Sequence, residues 1–147
     1  MRVAVGFDHA GVPLRDVVLE AVRAEGHEPV DVGTQDDYPD TALDVSRAIH
    51  DGRCDRGIVV CGSGAGVAVA ACKLPGIRAA VGHDTYTAAQ CVEHDNCNVL
   101  ALGARVVGPM LAAACIRSYV RAEFSGAERH VRRLGKIDVM EREGFGS

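Results

Sequence analysis

Short apolar runs alternate with amphipathic stretches along the whole chain. The apolar runs predict five buried strands, at 2–7, 28–33, 56–61, 77–82 and 98–103. The stretches between and after them have apolar residues at helical spacing and predict helices, at 12–26, 37–52, 65–73, 85–94, 109–124 and 127–143. Largely apolar strands joined by helices indicate βαβ units and a parallel sheet. We therefore predict a single α/β domain over 1–147. It is a Rossmann-like doubly wound five-stranded parallel sheet with helices on both faces and a loose tail at 144–147.

Composition and charge narrow the class of protein. The 147 residues suit one domain, and an aromatic content of 4% leaves Val, Ala, Leu and Ile to build the core. A net charge of −4 offers no basic field for nucleic acid, and no run reaches the roughly 18 apolar residues of a membrane span. The N-terminal apolar run is too short for a signal peptide, so we expect a cytoplasmic protein with mostly reduced, buried cysteines.

The predicted topology also selects candidate ligand contacts. In doubly wound sheets ligands bind at the carboxyl ends of the strands, so the residues that follow each strand are candidates. These residues fall at 8–9, 33–34, 61–66, 83–84 and 103–105. The segment CGSGAG at 61–66 places Cys61 directly before a glycine loop and a predicted helix. Such a loop presents backbone N–H groups to a phosphate or a reaction oxyanion, which makes Cys61 a candidate base or nucleophile.

Other interpretations of this glycine loop are weaker. Val67 stands where a dinucleotide-binding fingerprint needs its third glycine and where a cysteine phosphatase loop needs arginine. A Walker loop needs Gly-Lys followed by Ser or Thr, which is missing here. The remaining alternative is a tight turn with a buried cysteine that has no catalytic or binding role.

Two patterns leave a structural alternative open. The segment CVEHDNC at 91–97 has the Cys-x2-His-x2-Cys spacing of a zinc site, but no fourth ligand is obvious. His94 lies at a predicted helix end, where a histidine is more often structural or solvated than catalytic. Asp8 follows the first strand and is either a ligand contact or a helix cap.

A basic segment at 128–136 stands out in this acidic chain. Arg129 and Arg133 are four residues apart and share one helical face. Together with Arg105, which follows the fifth strand, they form a candidate anion clamp, since guanidinium groups suit bidentate contact with phosphate. The alternative is that the basic segment forms a solvent-exposed helix face and binds no anion.

Several motifs, in order and spacing, together resemble the type B ribose-5-phosphate isomerase family, which also includes galactose-6-phosphate isomerase. The likeness covers nearly the whole chain. It is carried by VAVGFDHAG, DYP, VVCGSGAGVAVAACKLPGIRA, EHDNCNVLALGARVVG and ERHVRR.

The resemblance implies isomerisation of ribose 5-phosphate to ribulose 5-phosphate, or of a closely related sugar phosphate, through a cis-enediolate, without metal or cofactor. It implies that Cys61 is the base; family members that lack this cysteine have a glutamate where this chain has Val67. The other implied roles are oxyanion binding by Ser63 and the glycine loop (Gly62, Gly64 and Gly66), ring opening by His94, contact with sugar hydroxyls by Asp8 and Tyr38, and phosphate binding by His9, Arg105, Arg129 and Arg133.

The resemblance further implies a homodimer or homotetramer whose active sites draw residues from two subunits. Two positions depart from the family pattern. Asp95 follows His94 where asparagine is usual, beside the expected substrate, and Cys72 also replaces an asparagine. These departures motivate the alternative function of a non-catalytic module that binds a sugar phosphate or a nucleotide.

Overall fold

The computed structural model describes residues 1–147 and contains one five-stranded sheet. All strand pairs are parallel, in the spatial order β2-β1-β3-β5-β4. The strands are β1 (Arg2–Asp8), β2 (Glu28–Gln35), β3 (Arg56–Cys61), β4 (Ala79–Val81) and β5 (Val99–Gly103). The predicted doubly wound α/β fold is therefore confirmed, and each strand lies at or close to its predicted position.

Six helices connect or follow these strands. They are α1 (Arg15–Ala24), α2 (Tyr38–His50), α3 (Ala65–Ala71), α4 (Thr85–Glu93), α5 (Pro109–Arg121) and α6 (Glu128–Glu143). The first helical segment begins as a 3-10 turn, Val12–Leu14, with Pro13 in its first turn. The chain passes very close to β3 just before this turn, since a Cβ on Gly11 would lie 2.1 Å from the Val60 carbonyl oxygen. The tail predicted to be loose forms an exposed 3-10 turn, Gly144–Gly146.

The sheet has an apolar layer on each face. Helices α1, α4 and α5 cover one face, where Phe7, Leu100 and Tyr119 are fully buried. The Tyr119 hydroxyl donates to the Gly57 carbonyl at 3.1 Å, so this buried polar group is satisfied. Helices α2 and α3 cover the other face around Val45. Burying each large apolar side chain contributes about 1.5–3 kcal/mol, so both layers stabilise the sheet.

Helix α6 lies outside both layers. His130 is its single buried residue, while Val131, Ile137 and Met140 are 45–60% exposed. Near its C-terminal end, Glu141 accepts the Gly76 N–H at 3.0 Å, which ties the helix to the loop before β4. Helix α6 therefore presents apolar side chains to solvent in a single copy of the chain. Neither α6 nor any other helix has the length and apolar character to cross a bilayer.

The strand order reverses direction between β1 and β3. The connection through α1 leads from β1 to one edge of the sheet, and the connection through α2 returns across β1 to β3. Because α1 and α3 cover opposite faces of the sheet, the loops that follow β1 and β3 lead to opposite faces and leave a crevice between them. The loops after β1 and β3 begin at His9 and Gly62, so the crevice is the expected ligand site.

Candidate active site

A cavity of about 380 Å³ opens at the switch point. We call it the Cys61 cavity. Eight of its ten lining residues are candidates from the sequence, namely Asp8, His9, Tyr38, Cys61, Gly62, Ser63, Gly66 and Arg105. Ala10 and Val106 complete the lining, and nothing in the sequence distinguishes them except that they adjoin candidate residues.

The Cys61 thiol lies at the end of β3, and its residue is only 4% exposed. Its Sγ accepts a hydrogen bond from the Gly64 backbone N–H at 3.1 Å. Its residue contacts the apolar layer under α2 and α3 and also lines the Cys61 cavity. The sulfur is therefore held by a backbone amide at the boundary between the core and the cavity.

Two glycines shape the loop. Gly64 has φ +81°, in the left-handed region, where it turns the chain into α3. A Cβ on Gly66 would lie 2.9 Å from the Tyr38 ring, so glycine allows the first residue of α2 to pack over the loop. The backbone N–H groups of Gly62, Ser63 and Gly66 donate to no acceptor within the protein. Three donors are therefore free beside the thiol to meet a negatively charged oxygen.

Asp8 and His9 form the opposite wall of the cavity. Asp8 is 6% exposed, and its Oδ1 accepts the Gly11 N–H at 2.8 Å, which closes the turn before the 3-10 segment. This oxygen closes a turn and does not cap the 3-10 segment, whose N-cap residue is Gly11 and has no side-chain cap hydrogen bond, and Oδ2 has no protein donor. His9 is exposed, and its Nδ1 lies 3.2 Å from the Asp36 carbonyl oxygen. Asp8 therefore offers one carboxylate oxygen to a ligand.

Arg105 supplies the positive charge of the cavity. Its backbone N–H donates to the Gly62 carbonyl at 3.0 Å, and its guanidinium lies over the same glycine, whose Cβ would be 3.3 Å from Nη1. No carboxylate lies within 4.0 Å of this guanidinium. An unpaired cation beside free amide donors is an arrangement that attracts an anionic ligand.

Of the other candidates, Gly64 belongs to the glycine loop, and the rest form a second group outside the cavity. We call His94, Asp95, Arg129, His130 and Arg133 the His94 cluster. His94 follows the last turn of α4, and its ring stacks on that of His130 at 4.1 Å between centroids. Burial lowers the pKa of His130, as do the nearby charges of His94, Arg129 and Arg133. Sequence reasoning missed His130, although it stands between the two arginines in ERHVRR.

Topology separates the two groups within one chain. Helix α4 runs from the carboxyl end of β4 back to the amino end of β5, so His94 lies at the edge of the sheet opposite Cys61. Strand β5 has five residues at about 3.3 Å each, which separates these edges by about 16 Å. None of the members of the His94 cluster lines the Cys61 cavity. A single copy therefore does not assemble the clamp predicted from Arg105, Arg129 and Arg133.

The zinc-like segment does not form a metal cluster. Cys91 and Cys97 are buried in the layer under α4 and α5, and the Cys91 thiol donates to the Ala88 carbonyl at 3.3 Å. Nowhere in the chain do three His, Cys, Asp or Glu side chains come together in a way that could hold a metal ion. Both cysteines therefore serve as small core residues that support the end of α4.

Comparisons with known proteins agree with the geometry. A family model described as Ribose/Galactose Isomerase matches residues 3–137. The chain is 40% identical to a putative sugar phosphate isomerase of Bacillus subtilis, covering 99% of this chain and 100% of that protein. It is 37% identical to the D-erythrulose-4-phosphate isomerase of Pectobacterium atrosepticum, covering 97% and 98%. The structure of ribose-5-phosphate isomerase B from Clostridium thermocellum superposes with a TM-score of 0.91 at 44% identity, covering 97% and 98%. The resemblance inferred from the motifs is therefore confirmed.

Proposed function

We propose that this chain, which belongs to the ribose/galactose isomerase family, is a sugar-phosphate isomerase that interconverts ribose 5-phosphate and ribulose 5-phosphate. The observation that carries the proposal is the joint presence of a thiol, free amide donors and an unpaired guanidinium around one cavity. Each of these groups answers one need of the reaction: a base, an oxyanion stabiliser and a phosphate anchor.

The proposed reaction moves one proton between two neighbouring carbons. The Cys61 thiolate removes the proton from C2 of the open-chain aldose, and the C2–H electron pair forms the C1–C2 double bond of a cis-enediolate. The carbonyl oxygen at C1 takes the negative charge. The thiol then returns its proton to C1, while the proton on the C2 oxygen passes to the C1 oxygen and leaves the C2 carbonyl. Atoms and electrons balance without any co-reactant, as an aldose-ketose isomerisation requires.

The glycine loop would stabilise the enediolate oxygen. The N–H groups of Gly62, Ser63 and Gly66 are fixed by the turn and by the start of α3, so they need no reorganisation during the reaction. A single preorganised donor of this kind contributes about 3–4 kcal/mol to the stability of a transition state. The Ser63 hydroxyl, which accepts the Ala65 N–H at 3.2 Å, can turn its own hydrogen toward the cavity.

The other cavity residues would orient the sugar. Asp8 presents its free carboxylate oxygen, and Tyr38 its ring and hydroxyl, to the sugar hydroxyls. His9 and Arg105 would bind the phosphate at the other end of the cavity. Because the phosphate lies far from the reacting carbons, its binding energy serves to hold C1 and C2 beside the thiol.

A second copy of the chain would complete the site. The His94 cluster cannot reach the Cys61 cavity of its own chain, because the sheet lies between them. We propose a homodimer, alone or within a tetramer, in which His94 of the partner subunit assists ring opening beside Asp95 of the partner subunit. Arg129 and Arg133 of the partner subunit would join Arg105 at the phosphate. The exposed apolar residues of α6 support this arrangement, because an interface would bury them.

The test is an assay of ribose 5-phosphate with the wild type and with Cys61→Ala. We expect the wild type to form ribulose 5-phosphate. The variant should lose at least about a thousandfold in kcat, because it lacks the proposed base, while calorimetry still detects substrate binding. Full turnover by Cys61→Ala would overturn the assignment of the base.

The substrate is tested separately with a panel of aldose and ketose phosphates. D-erythrulose 4-phosphate belongs in this panel, because one of the relatives is named for it. We expect the highest kcat/KM with ribose 5-phosphate. A higher value with the tetrulose phosphate would reassign the substrate but keep the reaction class, whereas inactivity on the whole panel would overturn the proposed function.

A further inference from the structure

We propose that His83 is a positioning residue for the glycine loop: its neutral imidazole holds the end of β5 against Gly64, and through Gly64 it sets the position of the Cys61 sulfur. The inference rests on the proposed function, since it gives that sulfur its importance. His83 does not line the Cys61 cavity, so it acts without contact with substrate. It follows β4, the edge strand next to β5.

A single hydrogen bond joins His83 to the end of β5. The Gly103 backbone N–H donates to His83 Nε2 at 2.8 Å. An imidazole nitrogen that accepts a hydrogen bond carries no proton, so the ring is neutral and its proton lies on Nδ1. Burial lowers the pKa of His83, while the neighbouring Asp84 raises it, and burial is the larger effect. The Asp84 carboxylate is itself engaged by the Thr87 N–H at 2.7 Å.

The end of β5 contacts the glycine loop. Gly103 pairs in register with Cys61, and a Cβ on Gly103 would lie 2.5 Å from the Ser63 carbonyl carbon. A Cβ on Gly64 would lie 3.1 Å from the Leu102 carbonyl carbon and 3.4 Å from His83 Nε2. The imidazole, the end of β5 and the loop are thus packed with no spare space between them.

Two hydrogen bonds connect the glycine loop and the end of β5 to Cys61. The Gly64 N–H donates to the Cys61 sulfur, and the Ala104 N–H donates to the Cys61 carbonyl at 2.9 Å. Both contacts come from segments that His83 touches or holds. A loss of the His83 acceptor therefore leaves the Gly103 N–H without a partner and frees the segment that supports the loop. Displacements of about 1 Å in an active site can cost about 100-fold in rate, so the effect should reach catalysis.

The experiment compares His83→Leu, which removes the acceptor, with His83→Gln, whose amide oxygen can replace Nε2. We expect His83→Leu to lower kcat roughly 10- to 100-fold with KM changed less than about threefold. His83→Gln should recover at least about half of the wild-type kcat. His50→Leu, on the exposed end of α2, is the matched control and should stay within about twofold of the wild type. Equal kcat in His83→Leu and wild type, or equal loss in both His83 variants, would overturn the proposal.

Two further readouts separate this inference from the proposed function. The rate of Cys61 alkylation by iodoacetamide, measured in a Cys72→Ala background that removes the exposed thiol, reports the environment of the sulfur without turnover. We expect His83→Leu to change that rate at least threefold and His83→Gln to restore it, even if no sugar phosphate is isomerised. Nitrogen NMR of the wild-type ring should find the neutral form with its proton on Nδ1. A cationic ring, or a proton on Nε2, would overturn the proposal without any variant.

Discussion

The two edges of the sheet carry the predicted site residues on two different kinds of surface. The Cys61 cavity, at the carboxyl edge, is built from backbone turns and buried groups that hold each other in place. The His94 cluster, at the amino edge, stands beside a helix that lies outside the core, and its arginines have no carboxylate partners within 4.0 Å. One chain forms the whole lining of the Cys61 cavity, whereas the His94 cluster contributes Asp95 to a different cavity beside α6. One chain therefore places the predicted site residues in two separate groups and not around one cavity.

The largest expected effect comes from a dimer in which one chain lacks Cys61 and the other chain lacks His94. In a purified heterodimer of Cys61→Ala with His94→Ala, one site combines intact Cys61 with intact His94 of the partner subunit. Such a heterodimer should regain about half of the wild-type activity per dimer, although either variant alone is nearly inactive. The matched control pairs a chain that carries both substitutions with a wild-type chain. It should be nearly inactive, because each site then lacks one group.

The opposite result would contradict a site that is shared between two chains. Activity in the control heterodimer together with inactivity in the first one would mean that each chain supplies its own Cys61 and His94. Both heterodimers are isolated through two different affinity tags, and ribulose 5-phosphate formation is measured at equal dimer concentration.

A medium effect on the free energy of unfolding is expected from replacing one glycine by alanine beside each of the two residue groups. Gly103→Ala should destabilise the protein by about 1–3 kcal/mol and lower kcat, because its Cβ meets the Ser63 backbone at 2.5 Å. Gly135→Ala, in the middle of α6, should be neutral or stabilise by up to about 1 kcal/mol, since nothing lies within 4 Å of its Cβ and alanine favours the helix. Urea unfolding measures both free energies. An unaffected Gly103→Ala would mean that β5 and the loop are not tightly packed.

The smallest effect concerns the pH dependence of stability at the His94 cluster. The pKa of His130 in the folded protein is lower than its ordinary value of 6.5, mainly through burial. The unfolded chain therefore binds more protons than the folded chain as pH falls through 6.5, and the free energy of unfolding decreases. His130→Gln should show a shallower decrease between about pH 7.5 and pH 5.5 than the wild type. His50→Gln, at an exposed position, should keep the wild-type slope, and an identical slope in all three proteins would contradict the prediction.

Much of the fold was predictable because its signals are local. The residues of β3 and β5 are apolar throughout, so their burial on both faces follows from their composition. Gly64 and Gly66 marked a loop shaped for close approach, and the rule for the carboxyl ends of parallel strands then placed Cys61, Asp8 and Arg105 around one crevice. Each of these inferences needed only neighbouring residues and the general geometry of βαβ units.

Strand order, in contrast, depends on contacts between distant segments. Nothing in the sequence alone indicated that β5 lies between β3 and β4, and this placement brings Gly103 beside Ser63 and within reach of His83. The same topology moves His94 to the opposite edge, although its motif suggested the same site as Cys61. The stacking of His94 on His130 also joins residues from two separate helices.

The sequence by itself determined the elements, the glycine loop and the kinds of chemical group that line the cavity. Apolar periodicity and the steric freedom of glycine act over a few residues, which is why they can be read along the chain. Only the tertiary structure decided which of those groups meet. Packing of helices on the two faces of the sheet sets the strand order, and the strand order brings Asp8, Cys61 and Arg105 together while it keeps His94, Arg129 and Arg133 apart from them.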